Sequence, residues 1–352
     1  MADPEADREL RKQIAQDATA EKAAGPTIFT RAFQFFLVPM IIVAACAGVY
    51  AFFTYTMTGK RTPRDWAEEL KASGPNARKH AAAQIVAELR RLDEKQRSET
   101  RLYEPLMQIF EQTGANEPSG PAPLVGEGPP LRALVAECLG LVGDPRAAPV
   151  LIEAVRDEKN PQTIASLISA AGALRNREVA PDLIKLLDHP SSVVRKYAAF
   201  TLGAIAAPDR KKEEPKLLSA VEPLKATLND ARPEVQWNAA FALAFFLRDG
   251  SGAPVLRRML DRQYITDIVN SSCNEPGGVG EQTKASAPGL VAHALMMACQ
   301  GVAALCDPET VSGAADPAFA DRVRALAEKD PDPRVADAAR KTLKVLEGRK
   351  KS

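Results

Sequence analysis

A proline followed by an apolar stripe opens one segment after another along this chain. Pro105 leads into Leu106, Met107, Ile109 and Phe110; Pro149 into Val150, Leu151 and Ile152; Pro181 into Leu183, Ile184, Leu186 and Leu187. Pro223 leads into Leu224 and Leu228, and Pro254 into Val255, Leu256, Met259 and Leu260. A second phrase follows at helical spacing, best seen where Val194, Ala198, Ala199 and Leu202 precede Gly203, and again where Val235, Ala239, Ala240 and Leu243 precede Ala244. Gly140, Gly172 and Gly203 close three consecutive second helices, and the whole pattern returns after about 32 residues, the period of a helix-pair repeat. Each pair is apolar on a face it cannot bury alone, so neighbouring pairs must stack to cover it.

This alternation resembles HEAT repeats, specifically the short bacterial kind related to phycobilisome-lyase-type repeats, over residues 62–348; the run Val194–Gly203 carries the likeness most clearly. The resemblance implies an all-α fold, an armadillo-like superhelix in which an α-solenoid of about seven HEAT-like helix pairs carries its second helices at 76–92, 130–142, 161–174, 191–206, 232–247, 287–305 and 332–347. Alignment of those helices puts Arg78, Arg132 and Arg195 at one position, where the resemblance implies a structural ladder tying each repeat to the next; Gln236 and Ala336 break the series. Aromatic residues are only 5% of the chain, which favours helix packed on helix over sheet on sheet. A net charge of +1, from 46 Lys and Arg against 45 Asp and Glu, provides no electrostatic footprint for nucleic acid.

From Ala32 to Gly59 no charged residue occurs. The apolar run inside that window, 35–57, makes a helix of roughly 35 Å at roughly 1.5 Å per residue, enough to cross a hydrocarbon core of about 30 Å. The expected organisation is therefore a polar tail at 1–31, a single transmembrane helix at 32–59, the solenoid at 60–348 and a basic tail at 349–352. The leading tail, with Asp3, Glu5, Asp7, Glu9, Asp17 and Glu21, is too long and too acidic for a signal-peptide n-region. Val43, Ala44 and Ala45 before Cys46 match a lipoprotein cleavage pattern, but the apolar run continues beyond Cys46, which then reads as a helix-packing residue. The expected location is the plasma membrane. Lys12, Lys22 and Arg31 before the span, against Lys60, Arg61, Arg64, Lys71, Arg78 and Lys79 after it, lean toward a cytoplasmic solenoid, yet long domains translocate largely regardless of charge and the side stays open.

Chemistry-bearing residues are sparse. The five cysteines have no CxxC-type pairing, and His80, His189 and His293 fall in different repeats, His189 as a turn residue. His293, Met296, Met297 and Cys299 crowd one helix, where Met and Cys are ordinary core filler. Gly277, Gly278 and Gly280 before Lys284 lack the phosphate-loop spacing. No catalytic residue, metal or cofactor is expected. The resemblance to bilin lyases does imply an alternative, an enzyme acting on a protein-bound chromophore, with Cys273 the reactive thiol to inspect.

The main expectation is a non-catalytic scaffold that binds a protein partner, itself membrane-associated. Lys196, Tyr197 and Phe200 align with Trp237, Asn238 and Phe241, and these six flank the packing stripe of adjacent second helices. They read either as an apolar anchor pocket for a partner or as inter-helix core. Three insertions add candidate contact loops: Gly114–Pro129 and Thr266–Ala287 on one edge, and Pro208–Pro215 on the other.

Overall fold

The computed structural model describes residues 4–23, 40–50, 52, 62–72, 74–113, 129–208, 215–274, 280–306 and 317–348. Every element among them is helical, and the chain divides into two units, 1–62 and 63–352. The first unit holds α1 (Pro4–Ala23) and the apolar α2 (Met40–Tyr50), whose side chains are exposed. Of the expected span at 32–59 only 40–50 and 52 are described; the rest of that call lies outside the described residues.

The second unit is built of helix pairs: α3 (Pro63–Ala72) with α4 (Pro75–Arg91); then, after α5 (Glu94–Glu99), α6 (Tyr103–Gln112) with α7 (Leu131–Val142); and α8 (Ala147–Ala154) with α9 (Pro161–Ala173). There follow α10 (Ala180–Leu186) with α11 (Ser192–Ala206), and α12 (Val221–Thr227) with α13 (Pro233–Phe241), which runs on into a π-helical turn at Ala242–Phe246. α14 (Ala253–Met259), α15 (Arg262–Asn274) and α16 (Gly280–Leu305) form the next unit, and α17 (Pro317–Lys329) with α18 (Pro333–Gly348) the last. The helices start where local chemistry lets them. Pro occupies the first turn of α4, α9, α10, α13 and α14, where its fixed φ suits the helix and its missing N–H has no partner to lose. Asn160 caps α9 by accepting from the N–H groups of Gln162 and Thr163.

Each first helix packs on its own second helix, and the second helices pack in succession, α4 on α7, α7 on α9, α9 on α11, α11 on α13 and the π turn, these on α16, and α16 on α18. The small residues at the helix ends set that spacing. A Cβ at Gly203 would stand 2.5 Å from the Ala242 Cβ, and one at Gly140 2.9 Å from the Ala170 Cα, so backbones touch where a side chain would hold them apart. The buried residues form two clusters that meet on α13 and the π turn: Ala239, Ala242, Leu243 and Leu247 belong to the first, and Trp237, Ala240, Phe241 and Ala244 to the second.

One expectation is corrected here. The stretch 266–287 was expected as an insertion loop, but α15 runs to Asn274 and α16 begins at Gly280; Ile265, Ile268 and Val269 recur at helical spacing and pack into the second cluster. Among the described residues one helix, Ala287–Leu305 within α16, is long and apolar enough to cross a membrane, and the described part of the expected span forms the shorter apolar α2. Val291, Ala292, Leu295, Ala298, Cys299 and Val302 of α16 are buried against the solenoid, the setting of a core helix. The loop calls at 114–128 and 209–214, and the glycines at 277 and 278, lie outside the described residues.

Candidate functional site

The aromatic residues of this aromatic-poor chain gather where α11 meets α13. The rings of Phe200 and Phe241 stack 6.0 Å apart at 7°, and Phe241 stacks in turn on Phe245 at 4.9 Å and 11°. Phe246 stands edge-on to all three. The two outer rings remain 37% and 38% exposed, for Phe200 and Phe245, while the central Phe241 is 4% exposed. Trp237 is 5% exposed and meets Tyr264 of α15 edge-on; its indole N–H is buried with no acceptor among the described residues. Of the six expected positions, the structure thus places Trp237 and Phe241 in the inter-helix core and leaves Phe200 at the surface. Lys196, Tyr197 and Asn238 are half-buried, and the Asn238 side-chain amide donates back to the Glu234 carbonyl at 2.7 Å.

Phe245, Phe246 and Arg248 complete the cluster and were missed. Phe241 and Phe245 stand four residues apart, a helical contact visible in the sequence; the π turn that seats Phe246 beneath them has no such signal. In that turn the Leu247 N–H reaches back five residues to the Ala242 carbonyl, and such turns recur at functional sites. Arg248 follows in the left-handed region, φ 53°, with its guanidinium 6.0 Å from the Phe245 ring centroid.

Charge around the face is uneven. Burial pushes the Lys196 ammonium below its ordinary pKa, with Glu234 opposing the shift, and Nζ lies 4.9 Å over the Tyr197 ring. Glu234 is held elsewhere, accepting from Ser272 Oγ at 2.7 Å. No group of His, Cys, Asp and Glu among the described residues is arranged to hold a metal. His189 Nδ1 accepts from the Ser191 N–H, the bond of a turn residue. Cys299 is pushed up to about 12 by burial, so it is an inert thiol; the side chain of Cys273 lies outside the described residues.

The three aligned arginines bond backbone carbonyls at the close of their own pair's first helix. Arg78 Nε donates to Leu70 O, Arg132 to Thr113 O, and Arg195 to His189 O and Pro190 O. Two also reach the following pair. Arg195 makes a two-pronged contact with Asp230 at 2.7 and 3.0 Å, and Arg132 lies 3.8 Å from Glu158. Gln236, where the series breaks, donates to Asp230 O and accepts from Arg258.

Residues 180–268 match the family described as HEAT repeats, and residues 131–157 the PBS lyase HEAT-like repeat. The repeats within those residues are of the HEAT type. Comparison with curated proteins gives no match. Among solved structures the chain is similar to the complex of CpcE and CpcF of phycocyanin lyase from Nostoc sp. PCC7120, at 18% identity over 82% of this chain and 95% of that one, with a TM-score of 0.46. It is similar to human deoxyhypusine hydroxylase in complex with glycerol, at 18% identity over 84% and 99% of the two chains, TM-score 0.30. A chain of the Kap95:Nup1 complex aligns at 12% identity over 97% of this chain and 47% of that one, TM-score 0.40.

Proposed function

We propose that this chain is a membrane-anchored HEAT-repeat scaffold, without catalysis of its own, that holds a protein partner against the face of α11 and α13. The supporting observation is the pair of exposed rings, Phe200 and Phe245, held in register by the buried Phe241 and the half-buried Phe246. Rigid aromatic anchors over a packed support are the usual energetic centre of a protein interface. The uncharged segment 32–59 supplies the anchor on this reading, and the partner is a membrane protein or lies beside one. A Phe200→Ala, Phe245→Ala variant should stay with carbonate-washed membranes and keep its melting temperature, yet lose the protein that copurifies with the natural chain. Hot-spot aromatics contribute about 2 kcal/mol or more each, so the loss should be near complete. A variant that keeps its partner moves the contact to another face, and recovery of the chain in the carbonate supernatant removes the anchor.

A second reading, a lyase-type activity on a protein-bound chromophore, is favoured by the match of residues 131–157 to the PBS lyase HEAT-like repeat. Visible absorbance that stays with the purified chain after incubation with a bilin, and passes to an acceptor protein, would replace the scaffold reading with this one.

A further inference from the structure

The helices of each pair run antiparallel, and the closing residues of successive second helices meet, Gly140 on Ala170, Gly172 on Thr201 and Gly203 on Ala242. Second helices therefore end, and first helices begin, on one edge of the array. The joints along that edge are contiguous. Asn176 Nδ2 donates to the Pro145 carbonyl at 3.3 Å, Arg177 Nη2 to the Ala207 carbonyl at 2.7 Å, the Leu217 N–H to the Ala206 carbonyl at 2.9 Å and Lys216 Nζ to the Leu247 carbonyl at 3.5 Å. Three successive joints each carry a cation: Arg175 after α9, the exposed Lys216 before α12 and Arg248 after the π turn. The side chains of Arg175 and Arg248 have no hydrogen bond or ion pair among the described residues, Arg248 approaching only the Phe245 ring. Carboxylates beside them are engaged: Asp144 with Arg146 at 2.7 Å, Glu178 with Asn176 at 3.4 Å, and Asp249 with the Ser251 N–H at 2.8 Å and Lys225 at 3.6 Å. At the earlier joint, by contrast, Glu94 and Glu99 offset Lys95 and Arg101. Both free arginines hold positive φ, 50° and 53°, a strain that points toward function where nothing local explains it. Among these cations Leu218 is 67% exposed.

We infer that this edge of the solenoid lies against an anionic bilayer, with Arg175, Lys216 and Arg248 on lipid phosphates and Leu218 in the headgroup layer. Neighbouring helices stand about 8–10 Å apart, so Arg175 and Arg248, two pairs apart, cannot close on one free phosphate and address an extended surface. Cations around an exposed aliphatic side chain suit the membrane interface, whereas the net charge of +1 disfavours nucleic acid. The path of the chain agrees. α3 begins on this edge at Pro63, and in the sequence Lys60, Arg61 and Thr62 separate it from the uncharged segment that ends at Gly59. α18 ends on the same edge at Gly348, with Arg349, Lys350 and Lys351 next in the sequence. The inference rests on the membrane reading of that segment and adds which edge faces the lipid.

The full chain is reconstituted into phosphatidylcholine vesicles with and without phosphatidylglycerol, as Leu218→p-benzoylphenylalanine or as Asp157→p-benzoylphenylalanine. Asp157 is exposed in the turn between α8 and α9, on the opposite edge. After illumination, mass spectrometry should find a lipid adduct at position 218 and none at 157, with a yield that rises when phosphatidylglycerol is present. Each Lys or Arg near an anionic surface contributes about fivefold in the equilibrium, ~1 kcal/mol, so adding Arg175→Gly and Arg248→Gly should lower that yield about fivefold or more. Glycine suits both backbone conformations, and the variant should melt no lower than its parent; if it does melt lower, the phosphatidylglycerol dependence of the parent decides alone. Equal adducts at both positions, a yield indifferent to phosphatidylglycerol, a yield indifferent to the arginines in a variant that melts no lower, or crosslinking of position 218 to a second copy overturns the inference. Carbonate extraction reads the span separately. A chain that resists extraction but gives no adduct keeps the anchor and loses the edge, and one that is extracted yet gives the adduct on anionic vesicles keeps the edge and loses the anchor.

Discussion

Among the described residues other than glycine, three have positive φ, and all three are arginines: Arg101, Arg175 and Arg248. Arg175 follows α9 as Gly143 follows α7, so the same helix end is made once with glycine and once with a side chain that pays conformational strain. The left-handed region costs an ordinary residue about 1–2 kcal/mol, and freeing the unfolded chain with glycine costs about 0.4–1 kcal/mol. The first exceeds the second, so Arg175→Gly should raise stability by about 1 kcal/mol or less, read as a higher denaturation midpoint; a fall would mean that the exposed Arg175 side chain contributes more than its backbone costs. At this scale much was legible. Val194, Ala198 and Leu202 and their counterparts were placed correctly as buried because their spacing leaves a single face to bury. What could not be read was how far Trp237 and Phe241 sink. A large aromatic on the boundary of an apolar stripe turns inward or outward according to its neighbour on another helix, here Tyr264 of α15 for Trp237 and Phe200 of α11 for Phe241, and that neighbour is fixed only by packing.

Between elements, the contact of Arg195 with Asp230 ties the fourth pair to the fifth. Burial works against the Asp230 carboxylate, but the Arg195 hydrogen bond and the Arg232 N–H outweigh it and hold its pKa below the usual carboxylate range. A depressed native pKa contributes stability that is fully present above the unfolded value near ~3.9 and is lost as pH falls through the native one. Asp230→Asn should therefore lower stability by about 1–3 kcal/mol at neutral pH, with the gap closing below about pH 4; melting curves at stepped pH check it, and a gap that persists in acid would assign the loss to packing. The same device recurs at the far end, where Arg262 grips the buried carboxylate of Asp330 at 2.6 and 2.8 Å. That contact was invisible beforehand because Arg262 belongs to α15, a helix masked in the sequence by the run of glycines and proline that follows it. The second helices, by contrast, were found within a residue or two except the sixth, where α16 begins seven residues before the expected 287, since Pro and the apolar spacing agree at the others.

For the molecule as a whole, stacked pairs touch mainly their neighbours, so injury should stay local. Leu202 is fully buried on α11, and Leu202→Ala should cost about 2–5 kcal/mol, with hydrogen exchange quickening first in α9, α11 and α13. Exchange rising evenly from α3 to α18 would contradict a nearest-neighbour array. Number and order of pairs were legible from the repeated proline; the joint at the π turn was not, because Ala242–Phe246 differs in no residue type from an ordinary helix. That joint has a consequence for how such a chain can change length. Duplicating or deleting a pair elsewhere opens one apolar wall and closes it against a near copy, but α13 is a party wall shared by two cores, so a graft cut there bares both at once, and lineages of this protein should vary in repeat number on either side of it while leaving that helix in place.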